Sequence, residues 1–340
     1  MRLCVIGAGA IGGVLAAGLA RGAADVTLVV RNPIHRDAIA RAGLTVVDPK
    51  GAAHVVRNLR PVGTCAEAGA QDAVVLAVKA HQIAGLCPAI RALFGPETMV
   101  LTLQNGVPWW YFQRHGGAFE GHRLTALDAD GAISAVIEPE RIIGAVAYFA
   151  GEILGPGRVR HGGGVRLPIG ELDGRITSRA SALAAEFARA GFESPVLDDI
   201  RGEIWFKVWA NACFNPIGAL THATIDRIAS NAHARALLID MMEEAQAVAA
   251  KLGVRLRQTA AERIAIVAKV AGHKPSMLQD VEAGKALEIE ALAGALVELG
   301  RLTGTPTPRF DALYACARLL DQTMARGHVG FAATRNADGP

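Results

Sequence analysis

Short β-branched runs alternate with alanine-rich runs over residues 1–120. Leu3–Ile6 reads as a strand and Ala10–Arg21 as a helix. Val26–Val30 is a second strand, and Val74–Val78 and Met99–Leu103 are two more, nearly all apolar. Strands apolar on both faces suit a parallel sheet covered by helices on either side. Alternating β and α elements predict a doubly wound α/β sheet.

The pattern changes over residues 121–171. Val136-Ile137 and Ile142–Phe149 look like strands parted by Glu138-Pro139-Glu140, and Val165–Ile169 follows a glycine-rich turn. They read as a more antiparallel extension of the same sheet. Ser178–Ala190 is a helix stopped by Gly191. From Asp198 onward the periodicity is helical, with candidate helices at 200–214, 231–252, 257–270, 284–303 and 309–326. Asn215-Pro216, Lys274-Pro275 and Thr305-Pro306-Thr307-Pro308 break them. The expectation is a nucleotide-binding domain over 1–196 and an all-α substrate and catalytic domain over 197–330. The boundary falls near Pro195–Asp199, and 331–340 is a frayed tail.

Composition narrows the function. A length of 340 residues fits two domains. Hydrophobic residues make up 51%, charged residues 20%, and mean hydropathy is +0.28, which excludes a disordered chain. Lys and Arg number 35 against 32 Asp and Glu, a net of +3 with no basic cluster, so a nucleic-acid partner is not expected. No apolar run is long enough for a membrane span, and Met1–Gly7 passes straight into a strand pattern rather than a signal peptide. Five scattered cysteines without a C-x-x-C pair suit a reduced, cytoplasmic protein. Scattered histidines give no metal motif. His161-Gly162-Gly163-Gly164 resembles an esterase oxyanion loop, but without any G-x-S-x-G it reads as a tight turn.

Gly7-Ala8-Gly9-Ala10-Ile11-Gly12 is G-x-G-x-x-G between a strand and a helix, the context of a Rossmann dinucleotide site. Gly7 permits the turn, Gly9 lets backbone approach a pyrophosphate, and Gly12 allows close packing of helix on strand. Ala10 and Ile11 open the helix whose N–H groups face the phosphates. The second strand ends Val29-Val30-Arg31-Asn32, with no carboxylate to hold a ribose hydroxyl. Arg31 can clamp a 2′-phosphate, so NADPH is expected over NADH. Two further strands end in Lys79 and Gln82, and in Gln104-Asn105-Gly106. Gln82 and Gln104 are either ligand-facing or ordinary solvated strand ends.

Ile204–Asn215 is apolar nearly all round, as a buried helix would be. Yet Lys207, Asn211 and Asn215 recur at i, i+4 and i+8, close to one line along it. Such a line faces a ligand cleft, with Lys as proton donor and Asn as donor and acceptor; the alternative is a snorkelling lysine with two solvated amides.

These residues, with V-K-x-x-Q at Val78–Gln82, L-Q-N-G at Leu103–Gly106, K-x-x-x-N-x-x-x-N-P at Lys207–Pro216, S-M-L-Q-D at Ser276–Asp280 and Glu288, resemble the ketopantoate reductase family over about residues 3–326. The resemblance implies a Rossmann domain followed by a helical domain, and reduction of ketopantoate to pantoate with NADPH on the route to pantothenate and coenzyme A. It makes Lys207 the general acid and Glu288 the residue that positions the catalytic groups. Asn105 and Glu288 would border the cofactor, with Lys79 near it. Asn105, Asn211, Asn215 and Ser276 would hold the substrate. Another branched 2-oxo acid, or a dinucleotide-sensing protein without turnover, are the alternatives; a homodimer is possible through helices 284–303 and 309–326. Three positions depart from the family pattern: Val107-Pro108-Trp109-Trp110-Tyr111, Ile225-Asp226, and Pro275 before Ser276. The aromatics at 109–111 either line a different acyl pocket or pack in the core.

Overall fold

The computed structural model describes residues 1–269 and 271–327; the tail expected at 331–340 lies outside them. The chain forms two compact units. The first holds 1–104, 108–123 and 128–203; the second holds 105–107, 124–127 and the described residues from Ile204 onward. The division therefore falls inside a helix, after Glu203, rather than ahead of it.

The first unit is α/β. Its strands are β1 (Arg2–Ile6), β2 (Asp25–Val29), β3 (Leu44–Val47), β4 (Ala53–Val56), β5 (Leu59–Val62), β6 (Gln71–Leu76), β7 (Phe94–Thr102), β8 (Ile142–Ala145), β9 (Ala150–Gly155), β10 (Arg158–Gly163) and β11 (Ile169–Glu171). Its helices are α1 (Ala10–Arg21), α2 (Pro33–Ala42), α3 (Cys65–Ala68), α4 (Cys87–Ile90) and α5 (Ser178–Arg189). Seven strands form one sheet in the order β11-β8-β7-β6-β1-β2-β5, parallel except for β11 against β8. The chain leaves β1 toward β2 and later returns to β6 on its other side, so strand order reverses beside β1. In such sheets ligands bind beyond the carboxyl ends at that reversal. Leu3, Val5, Leu28, Val75 and Leu101 are fully buried in this core. Each such side chain contributes about 1.5–3 kcal/mol of burial.

Two features of residues 121–171 differ from the sequence expectation. Val136-Ile137 is a turn, not a strand, because the buried Asp128 carboxylate accepts from the Ile133 and Ser134 N–H groups and the Ser134 hydroxyl. The glycine-rich stretch at His161 is the end of β10 with a bulge, not a turn. With β3, β4 and β9 it makes a second four-stranded sheet, order β4-β3-β10-β9, that packs on α1 and has no counterpart in the sequence pattern. Only β8 and β11 extend the main sheet.

The second unit is helical. The long helix α6 spans Ile200–Thr221. After it come α7 (Ile225–Ser230), α8 (Ala232–Lys251), α9 (Ala260–Val267) and α10 (Ser276–Glu282). A π-helical turn at Glu290–Gly294 runs into α11 (Ala295–Thr303), and α12 is Pro308–Gly327. The expected break at Asn215-Pro216 does not occur: α6 runs through Pro216. An interior proline costs about 3 kcal/mol. Trp205, Trp209, Phe214 and Ile217 are buried along the helix and offset that cost. The short helices α7 and α10 fall outside the periodicity reading, being too brief to show a clear period.

Candidate active site

The three glycines of the first turn differ in what surrounds them. Gly7 has φ +106°, and a Cβ there would lie 2.8 Å from the Ala77 carbonyl oxygen. At Gly12 a Cβ would lie 1.9 Å from the Gly7 oxygen, so only glycine lets α1 sit this close to the turn. Gly9 has nothing within 4 Å of its Cβ position. Protein packing explains the first two and not the third, which leaves backbone open for a ligand to approach. Gly9 is also the N-cap of α1, without a side-chain cap, and the first turn carries no acid. Uncapped N–H groups and the positive end of the helix dipole favour a phosphate there. Ala10 and Ile11 are half-buried beside it.

Arg31 follows β2, is exposed, and makes no ion pair among the described residues. Next to it Asn32 caps α2, its side chain accepting from the His35 N–H at 3.2 Å. Lys79 is half-buried beyond β6. Gln82 is committed to the fold, since its Oε1 accepts from the Lys79 N–H at 3.1 Å. Gln104 is neither solvated nor paired: both polar atoms of its amide are buried without a hydrogen-bond partner. A buried orphan amide at the carboxyl edge of the sheet fits a dinucleotide-binding edge better than a solvated strand end.

In the helical unit, α6 carries Lys207, Asn211 and Asn215 in the middle of its buried length. The helix is held by its aromatic side chains: the Trp209 indole donates to the Met242 carbonyl at 2.8 Å, and Arg263 stacks on Phe206. Lys207 keeps part of its surface open, yet protein crowds its ammonium. Desolvation lowers its pKa to about 8, and the charge of Glu288 opposes that fall. Asn211 Nδ2 donates to Asn105 Oδ1 at 2.8 Å. Asn215 is 4% exposed and fully engaged. Its Oδ1 accepts from the Ser276 hydroxyl at 2.9 Å and the Met277 N–H at 3.0 Å, while its Nδ2 donates to the Asn211 carbonyl at 3.0 Å. Asn215 thus caps α10 and ties Ser276 to α6. Asn105, Asn211, Asn215 and Ser276 form one hydrogen-bonded chain, and Lys207, one helical turn before Asn211 on α6, feels the charge of Glu288. Among the described residues no group of His, Cys, Asp and Glu could hold a metal, and no helix is long and apolar enough to cross a membrane.

A family profile described as "Ketopantoate reductase PanE/ApbA" matches residues 3–174, and "Ketopantoate reductase PanE/ApbA C terminal" matches residues 199–321. The chain belongs to the ketopantoate reductase family. It is 46% identical over 321 residues to a 2-dehydropantoate 2-reductase of Mesorhizobium japonicum, a match spanning 94% of this chain and 98% of that one. The fold superposes with TM-score 0.89 on a ketopantoate reductase candidate from Ralstonia solanacearum MolK2, at 37% identity, covering 95% and 98% of the two chains. A 2-dehydropantoate 2-reductase from Geobacter metallireducens GS-15 superposes with TM-score 0.81 at 29% identity, covering 95% of this chain and all of the other. Members of this family are dinucleotide-binding oxidoreductases, and this chain is an enzyme of that type.

Within the family, the departures at three positions have structural causes here. Trp109, Trp110 and Tyr111 are 3%, 0% and 0% exposed, and Trp110 donates to Thr102 Oγ1 at 3.1 Å, so they pack in the core of the first unit. Ile225 and Asp226 bind the backbone ahead of α10, at His273 and Gly272. Pro275 packs where a Cβ on Gly218 would lie 2.6 Å from its ring.

Proposed function

We propose that the protein reduces ketopantoate to pantoate with NADPH, the reductive step of pantothenate and coenzyme A synthesis, with Lys207 as general acid. The observation that carries this is an ammonium with pKa about 8, on a line with Asn211 and Asn215, in a chain 46% identical to a 2-dehydropantoate 2-reductase. The glycine turn, with Arg31 beyond β2, suits a dinucleotide with a 2′-phosphate, which a guanidinium recognises through charge-assisted hydrogen bonds. Bound NADPH supplies the hydride to the ketone carbon.

As negative charge grows on the ketone oxygen, Lys207 stabilises it and gives up a proton from Nζ. A donor whose pKa lies near the working pH transfers that proton readily and is still largely charged. Glu288 keeps the ammonium protonated against the desolvation that would discharge it. The bond from Asn211 to Asn105 leaves Asn105 Nδ2 as a donor and Asn211 Oδ1 as an acceptor for the oxygens of substrate and product. Ser276, the exposed member of the set, is suited to the carboxylate end.

Oxidation of NADPH by the purified protein with a panel of 2-oxo acids, run beside NADH, tests this. Ketopantoate should give the highest kcat/KM, and NADPH should be preferred. A protein that oxidises NADPH with another 2-oxo acid and not with ketopantoate would overturn the substrate assignment. Arg31→Asp should narrow the NADPH preference by about 10–100-fold, the value of a charge-assisted hydrogen bond or two. Equal weakening of NADPH and NADH would remove Arg31 from this role.

A further inference from the structure

The helix leading into α11 begins as a π-helical turn over Glu290–Gly294. The Ala295 N–H reaches back to the Glu290 carbonyl and passes over that of Ala291. The Ala291 oxygen instead accepts from the Val107 N–H at 2.8 Å. Gly106, with φ +98°, allows the approach: a Cβ there would lie 2.2 Å from the Ala291 oxygen. The next residue back is Asn105, bonded to Asn211 on α6. Two residues ahead of the turn is Glu288, whose charge acts on Lys207. One irregular turn therefore supports two parts of the reacting set. Such π turns are rare and gather at functional sites.

Its other face is clamped. The Glu290 carboxylate folds back over Gly294, where a Cβ would lie 2.6 Å from Oε2 and 3.1 Å from the Tyr314 ring. The Tyr314 hydroxyl donates to Glu290 Oε2 at 2.8 Å. Arg318 pairs with the same carboxylate and donates to the Tyr314 oxygen at 3.2 Å. We propose that Glu290 and Tyr314 are positioning residues for the reduction: they hold the π turn wound, and through the Ala291 carbonyl and Val107 they hold Asn105. Relaxation of the turn to an α-helix would return the Ala291 carbonyl to the helix ladder and rotate the residues before it by about 100°. Val107 would lose its acceptor and Glu288 its place beside Lys207. The proposal rests on the ketopantoate reading for its kinetic consequence, but not for its structural one.

The test uses Tyr314→Phe and Glu290→Ala in the full chain, with Glu290→Gln as the conservative rescue, since an amide still offers Tyr314 an acceptor. Removal of one such hydrogen bond should lower kcat about tenfold and raise KM for the 2-oxo acid, while Kd for NADPH stays within about twofold. Amide hydrogen exchange at Val107 should quicken in Glu290→Ala and Tyr314→Phe and return toward normal in Glu290→Gln. Arg301→Ala, at a residue that lines a 470 Å³ cavity together with Glu290, Tyr314 and Arg318 but is paired to Asp311, should change none of these. Unchanged Val107 exchange with unchanged kcat and KM would overturn the proposal. If Glu290→Ala does not fold, Tyr314→Phe, which removes only a hydroxyl, decides it. A wild-type protein that turns over no 2-oxo acid would defeat the functional reading, and Val107 exchange would still decide the clamp.

Discussion

The glycine turn of the first unit and the polar line of the second are built by opposite means. The turn works by leaving side chains out. Gly7 and Gly12 are required by backbone conformation and by a 1.9 Å approach, and Gly9 is open to whatever lies outside the protein. The line on α6 works by adding polar groups to a buried helix and then satisfying them. Asn215 spends its amide on α10 and Ser276, Asn211 binds Asn105, and Lys207 is balanced by Glu288. A backbone site of the first kind tolerates change around it while its glycines remain. A side-chain site of the second kind depends on partners scattered through the chain, so any one of them can unsettle the rest.

That contrast can be broken most directly at Lys207. Lys207→Ala should lower kcat by about 10²–10⁴-fold, the usual worth of a positioned proton donor. NADPH affinity, measured by fluorescence titration, should stay within about twofold, because it resides in the glycine turn. A variant with normal kcat would remove Lys207 from the chemistry. The next largest effect separates two glycines. Gly12→Ala should destabilise the fold by about 1–3 kcal/mol through overpacking, read as a lower Tm without ligand. Gly9→Ala should leave that Tm unchanged and weaken NADPH binding by about tenfold, a cost of about 1.4 kcal/mol. Equal effects at the two positions would mean that Gly9 serves packing and not a ligand.

The two sites were unequally legible. The conformation of the glycine turn could be read in the sequence because it lies in local spacing: a strand, six residues and a helix suffice. On α6 the i, i+4, i+8 line was visible, but the division of labour along it was not. Nothing local distinguishes Asn211, whose amide meets Asn105, from Asn215, which caps α10, because those partners lie 106 and 61 residues away. Ser276 and Glu288 entered only by resemblance; by themselves they read as a helix cap and a solvated helix residue. Pro216 pointed the wrong way, since burial of the surrounding aromatics outweighs the local preference. The second sheet was missed because β3, β4, β9 and β10 are short, and its two local pairs, β3 with β4 and β9 with β10, join only through β3 and β10, across more than 100 residues. Gln104 showed its interest only once its amide proved buried and unpaired.

The smallest expected effect is the one that sharpens the link between Lys207 and Glu288. A proton donor acts in its charged form, and burial has brought Lys207 down from 10.5 to about 8. In the free enzyme the charged form is dominant below that value and is lost as pH rises through it, so kcat/KM should fall on the alkaline side with a midpoint near 8. Glu288 raises the lysine pKa, so Glu288→Gln should move the fall to lower pH while leaving desolvation in place. The loss would be a few-fold at pH 8 and smaller at pH 6.5, where both proteins remain charged. Lower turnover in Glu288→Gln at every pH, with the midpoint unmoved, would assign Glu288 to steric placement alone. A midpoint that moves upward would show that the carboxylate does not act on this ammonium, and the polar set on α6 would then be two independent groups.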